Sequence, residues 1–113
     1  MTYRWHVFTA ALDPVQGSEQ AGTRPVLVIS RKEINQQLPV VNVVPLTSLK
    51  PARGHIYPNE ASIPAGQARL TLESLADQIR TIDKSRLSRD LGELTDPDAR
   101  ARVRDAVRFH LEM

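Results

Sequence analysis

The chain has 113 residues, 41% hydrophobic and 25% charged, with 15 Lys and Arg against 13 Asp and Glu. That size and balance fit one domain spanning 1–113 with its own core, and they exclude a disordered or polybasic chain. The absence of cysteine excludes a disulfide framework and a thiolate metal site, and no apolar run is long enough to span a bilayer.

The N-terminal segment lacks the apolar core of a signal peptide, so a cytoplasmic protein is expected. Charge is evenly spread: residues 1–79 hold 7 basic and 6 acidic groups, and residues 80–113 hold 8 and 7. Any nucleic-acid site must therefore come from local arrangement rather than bulk charge.

From Trp5 to Leu12, aromatic and small apolar residues cover about one strand length. Alternation puts Val7, Thr9 and Ala11 on one face and His6, Phe8, Ala10 and Leu12 on the other. Residues 13–24 form a polar loop bracketed by Gly17 and Gly22, and Pro25 biases Arg24 toward extended backbone. Val26–Ile29 is a continuous β-branched and leucine run, the pattern of a strand covered on both faces. Ser30 and Glu33 have the spacing of a capping box, which predicts a short helix over 31–37 that Pro39 ends. Val40–Leu46 is another β-branched strand, with Pro45 where an edge or bulge tolerates a missing donor. Thr47 and Ser48 stand at its end.

Lys50 and Arg53 then lie on a loop, and His55–Tyr57 reads as a short strand. Pro58-Asn59-Glu60 and Pro64-Ala65-Gly66 are turn signals. Residues 70–75 and 78–82 alternate as strands do. Leu87, Leu91 and Leu94 close the sheet region, with a tight turn expected at Gly92. Asp96 and Pro97 have the character of an N-cap and a first helical residue. Beyond them Ala99, Val103, Ala106, Val107, His110 and Leu111 recur as one apolar stripe, beside a face carrying Arg100, Arg104 and Arg108. Many short strands and one terminal amphipathic helix argue for a mainly β fold with α, a small and strongly bent sheet or barrel.

Three residue sets have chemistry to offer. Arg24 presents planar donors suited to phosphate oxygens, and the hydroxyls of Thr47 and Ser48 can bond the same group. RNA brings its own nucleophile, the 2′-hydroxyl, so a protein that aligns it and stabilises charge on phosphorus can cleave without metal. Glu19, Gln20, Gln78 and Arg80 have groups that read the edges of unpaired bases. Residue type alone leaves the plain alternatives open: a solvated Arg24, a strand-end Thr47, a structural ion pair at Glu19. His6, His55 and His110 would offer acid–base chemistry, but their surroundings favour packing or surface roles. No histidines and carboxylates share metal-ligand spacing, and the Gly17–Gly22 segment lacks the lysine of a P-loop, so no metal or other cofactor is expected.

Leu12-Asp13-Pro14 followed by Gly17-Ser18-Glu19-Gln20-Ala21-Gly22-Thr23-Arg24-Pro25 and the Val26–Ser30 strand resembles the signature of the MazF/PemK family of toxin endoribonucleases. The blocks Val43–Ser48 and Asp77–Leu87 are similar to that family in the same order. The resemblance implies an SH3-like β-barrel with a C-terminal amphipathic helix. It implies a sequence-selective, metal-independent endoribonuclease that leaves a 2′,3′-cyclic phosphate and a 5′-hydroxyl on single-stranded RNA. Catalysis would rest on Arg24 and Thr47, with RNA held by Glu19, Gln20, Ser48, Lys50, Arg53, Gln78 and Arg80. The expected partners are a second copy of the chain and an antitoxin whose flexible acidic segment lies over the RNA groove, with DNA contacted only through that antitoxin. Trp5 and His6 depart from the Arg-Gly-acidic start usual in the family, and the stretch before Gln78 is about two residues short. The alternative reading is a non-catalytic binding protein on the same fold, either gyrase-poison-like or a degenerate toxin that retains only antitoxin binding.

Overall fold

The computed structural model describes residues 3–12, 23–49, 54–70 and 74–113; Glu19, Gln20, Lys50 and Arg53 lie outside them. Among the described residues the chain runs β1 (His6–Ala11), β2 (Thr23–Val28), α1 (Lys32–Gln37), β3 (Val40–Ser48), β4 (Ala61–Ile63), β5 (Ser74–Ala76), β6 (Arg80–Asp83), β7 (Leu87–Glu93) and α2 (Pro97–Leu111). Two 3-10 turns, Gln67–Arg69 and Lys84–Arg86, precede β5 and β7.

The strands form one antiparallel sheet in the order β4-β5-β3-β2-β1-β7, with β6 also paired to β3. The expected mainly β fold with a C-terminal helix is present, as an open sheet rather than a barrel closed by hydrogen bonds. At its two edges, α2 packs on β4 and the Gln67–Arg69 turn packs on β7. Gln67 Oε1 ties that turn to the start of α2 by accepting the Thr95 and Asp96 backbone N–H groups at 2.9 and 3.0 Å.

The apolar run of β2 is buried on both faces, as its lack of alternation predicts. Leu27 joins a cluster with Trp5, Val7, Val44, Leu46 and Val103, while Val26 and Val28 join Phe8, Leu12, Val41, Val43 and Ile82 on the other face. β1 is split the same way, Val7 to the first cluster and Phe8, Ala10 and Leu12 to the second. Each fully buried aliphatic side chain contributes about 1.5–3 kcal/mol, so these two central strands anchor the sheet.

Several sequence expectations are corrected. α1 falls where expected, but Ser30 is not its cap: Arg31 is the N-cap and makes no side-chain capping bond. Ser30 Oγ instead donates to Asn35 Oδ1 and accepts the Asn42 N–H at 3.0 Å. Asn35 is fully buried and its Nδ2 donates to Ser30 O at 2.8 Å, so the hydroxyl stitches α1 to β3. His55–Tyr57 is not a strand, since β4 forms at Ala61–Ile63, where Ala61 and Ile63 reach the core. Gly92 lies inside β7 with φ 111°, at a register shift between β7 and β1, so its freedom makes a bulge rather than a turn. Asp96 and Pro97 do start α2, Asp96 Oδ1 accepting the Asp98 N–H at 3.1 Å. The stripe packs through Val107 and stops there, leaving His110 and Leu111 exposed.

Candidate nucleic-acid interface

Val26, Leu27 and Val28 on β2 face Pro45, Val44 and Val43 on β3. The ladder ends at Val26–Pro45; Arg24 lies two residues beyond it on β2, and Thr47 lies two residues beyond it on β3, where it pairs with Leu75 of β5. Alternation puts both on the face of Val26, Val28 and Val43, outward from the second cluster. Arg24 is also paired through Ala10 to β1, so a central strand fixes its backbone. Arg24 and Thr47 are half-buried.

Arg80 reaches the same corner from β6. It pairs with Val43 and shares the face of Ile82, and its Nη1 donates to Leu12 O at 3.3 Å. Leu12 follows Ala11, the partner of Thr23, so the Arg80 guanidinium ends beside the Arg24 end of β2. Two residues 56 positions apart in the sequence thus bring cationic forks to one place. Ser48 follows Thr47 on the opposite face, exposed and paired with Ser74.

Gln78 sits where β3 changes partners. Leu46 pairs with Ala76 on β5, and Val43 pairs with Arg80 on β6, so residues 77–79 hold one residue more than the two of β3 they oppose. Pro45 has no N–H to offer the ladder at this point, and its carbonyl accepts the Asp77 N–H at 3.3 Å. The extra residue makes a bulge, with Gln78 at φ 63°. Asp77 Oδ1 accepts the Gln78 N–H at 2.7 Å and Asn59 Nδ2 at 3.3 Å, which holds that left-handed turn. Gln78 lines a pocket with Asp77, Asn59, Ile79 and His110. The positioning role of Asp77 depends on the bulge, and residue spacing in the sequence carries no signal of it.

The histidines are dispersed. His6 Nδ1 lies 3.1 Å from Asp90 and joins β1 to β7, His55 meets the Tyr57 ring edge-on at 4.6 Å, and His110 is exposed beside the Gln78 pocket. Burial pushes the Asp90 carboxylate up, but the Gly92 N–H, His6 and Arg69 outweigh it and hold the group below the usual aspartate range. Among the described residues no three His, Asp or Glu side chains are grouped to hold a metal ion.

The profile of the PemK-like, MazF-like toxin family of type II toxin–antitoxin systems matches residues 3–111. The chain belongs to this family. It is 39% identical over 99 residues to Endoribonuclease MazF of Staphylococcus saprophyticus subsp. saprophyticus, covering 85% of this chain and 80% of that relative. Among solved structures, MazF (Form-I) from Deinococcus radiodurans is 30% identical with a TM-score of 0.78, covering 97% of this chain and 96% of that one. The MazE-MazF structure (Form-II) from the same organism matches at 33% identity and a TM-score of 0.72, covering 96% and 94%. The open sheet with a terminal helix is therefore the MazF-like fold.

Proposed function

We propose that this chain is the toxin of a type II toxin–antitoxin system and a sequence-selective endoribonuclease that cleaves single-stranded RNA in the cytoplasm without metal. The observation that carries the reading is that Arg24 and Thr47 each lie two residues beyond the Val26–Pro45 pair that ends the β2–β3 ladder, in a family whose relatives include a MazF endoribonuclease. Thr47 anchors the scissile phosphate, and Arg24 stabilises the charge that develops on its oxygens as the neighbouring 2′-hydroxyl attacks. An arginine, with a pKa above about 12, serves as a charge stabiliser and donor to the leaving oxygen rather than as a base. Cleavage leaves a 2′,3′-cyclic phosphate and a 5′-hydroxyl.

Gln78 and Arg80 contribute base or backbone contacts, with Ser48 at the strand end, and Glu19, Gln20, Lys50 and Arg53 also bind RNA. The working form is a homodimer. Its neutralising partner is an antitoxin with a flexible acidic segment, in keeping with the MazE-MazF structure among the matches.

The deciding experiment is cleavage of a defined RNA in EDTA, compared with the same RNA carrying one 2′-deoxy nucleotide 5′ of the scissile phosphate. The expected result is undiminished cleavage of the first and resistance of the second. Loss of cleavage on chelation with rescue by magnesium defeats the metal-free chemistry, and no cleavage of any RNA returns the chain to a binding role.

A further inference from the structure

Between β5 and β6 the chain changes face. Ala76 pairs with Leu46 and packs in the cluster that includes Val103 and Ala106 of α2. Ile82 pairs with Val41 and packs in the opposite cluster. Strict alternation would keep these two residues, an even number apart, on one face. Residues 77–79 hold one residue more than the Pro45 and Val44 they oppose, and that residue supplies the change. In regular register Arg80 would meet Asn42 and turn toward the α2 side.

Burial secures one end of the bulge. Ile82 is 4% exposed among Phe8, Val41 and Val43, which fixes Arg80 two residues before it. Gln78 lacks that anchor: it is half-buried, falls between the two ladders and has φ 63°.

A clasp from another segment holds it instead. The Asp77 carboxylate accepts the Gln78 N–H at 2.7 Å, and Asn59 Nδ2 donates to the same oxygen at 3.3 Å. Asn59 stands in a tied turn, where the Glu60 N–H donates to Tyr57 O and Glu60 Oε1 accepts the Tyr57 N–H, both at 2.9 Å. Ala61 then enters β4 and pairs with Ala76, so Asn59 reaches Asp77 from a strand already in place. The pocket these residues line encloses about 10 Å³, room for a single water molecule and not for a nucleobase. Its walls therefore mount Gln78 rather than receive a base.

We propose that Asn59 and Asp77 are specificity-positioning residues, whose clasp holds Gln78 in the attitude that reads one RNA base. The inference deepens the nuclease reading and rests on it. A side-chain amide carries both donors and an acceptor, and the backbone attitude decides which of them meets a base edge. A loosened Gln78 would accept more than one base. Arg24 and Thr47 belong to β2 and β3 and to neither half of the clasp, so loosening it spares the chemical step.

Asn59→Ala, Asp77→Ala and the conservative Asp77→Asn are compared with the parent chain. Cleavage of one defined RNA gives kcat and KM, and sequencing the 5′ ends of fragments from a mixed RNA pool gives the cut sites. Asn59→Ala and Asp77→Ala should raise KM about threefold to tenfold, leave kcat within about twofold and broaden the base tolerated at one position. Asp77→Asn keeps an acceptor oxygen and should retain the parent KM and cut sites. The Gln78 amide proton, followed by NMR, should shift and exchange faster in Asn59→Ala. If Asp77→Ala does not fold, Asn59→Ala and Asp77→Asn decide.

Unchanged KM and cut sites in Asn59→Ala, or a fall in kcat alone, overturns the proposal. So does a Gln78 amide proton that Asn59→Ala leaves unmoved. A parent chain that cuts no RNA defeats the nuclease reading, and with it the ligand named here. A parent that cuts RNA while Asn59→Ala changes nothing defeats the clasp alone.

Discussion

The Asp77 carboxylate accepts the Gln78 backbone N–H at 2.7 Å while Gln78 occupies the left-handed region at φ 63°. A non-glycine residue held there costs on the order of 1 kcal/mol, and the acceptors around the bulge offset it. Two substitutions separate backbone from side chain. Gln78→Gly relieves the backbone and is expected to change unfolding free energy by less than about 1 kcal/mol, while RNA affinity falls with loss of the amide. Asp77→Ala removes the acceptor of both the Gln78 N–H and Asn59 Nδ2 and should destabilise by about 1–3 kcal/mol. Urea titration and RNA binding on the same two variants check both halves.

Arg24→Ala is expected to lower turnover by on the order of 100-fold or more, since a lost transition-state donor is worth about 3–4 kcal/mol. His55→Ala and His110→Ala should stay within severalfold of the parent, because neither side chain stands at the Arg24 corner. Single-turnover cleavage with folding verified by circular dichroism decides it. A folded but inactive His55→Ala chain transfers the acid–base role to histidine.

The Asp90 carboxylate is held below its ordinary range, with His6 and the Gly92 N–H as partners. A depressed carboxylate pKa adds stability above the unfolded value of about 3.9, and that stability is lost as pH falls through the folded value. Asp90→Asn should therefore lower Tm at neutral pH and flatten its fall below about pH 4. Thermal unfolding of both chains from neutral pH to about pH 2.5 measures the two slopes. Parallel curves would remove Asp90 from the acid response.

Asn35 links α1 to Ser30 from a fully buried position. Asn35→Ala leaves the Ser30 groups without these bonds and is expected to cost about 1–3 kcal/mol. Asn35→Leu should not recover it, because the added apolar volume supplies no partner for the Ser30 carbonyl. Urea midpoints of the two variants test this.

What the sequence by itself determined is local. The unbroken apolar run of Val26–Val28 announces a strand buried on both faces, and Asp96-Pro97 announces the start of α2, because each depends on side chains within a few residues. The blocks around Arg24, Thr47 and Gln78 likewise marked the family before any coordinate. Tertiary structure decided the rest. Whether Ser30 caps α1 or binds Asn35 and Asn42 depends on β3 arriving beside it, and Gly92 reads as turn or bulge only once β1 pairs with β7. Arg24 and Thr47 come to the same end of the β2–β3 ladder, and Arg80 approaches that end because β6 pairs with the other edge of β3. The arginines around Trp5 meet only when α2 packs against the Arg4–Trp5 segment that precedes β1, bringing residues 4 and 104 together. Such contacts between distant segments are chosen by register and by burial of whole faces, quantities that no short window of sequence contains.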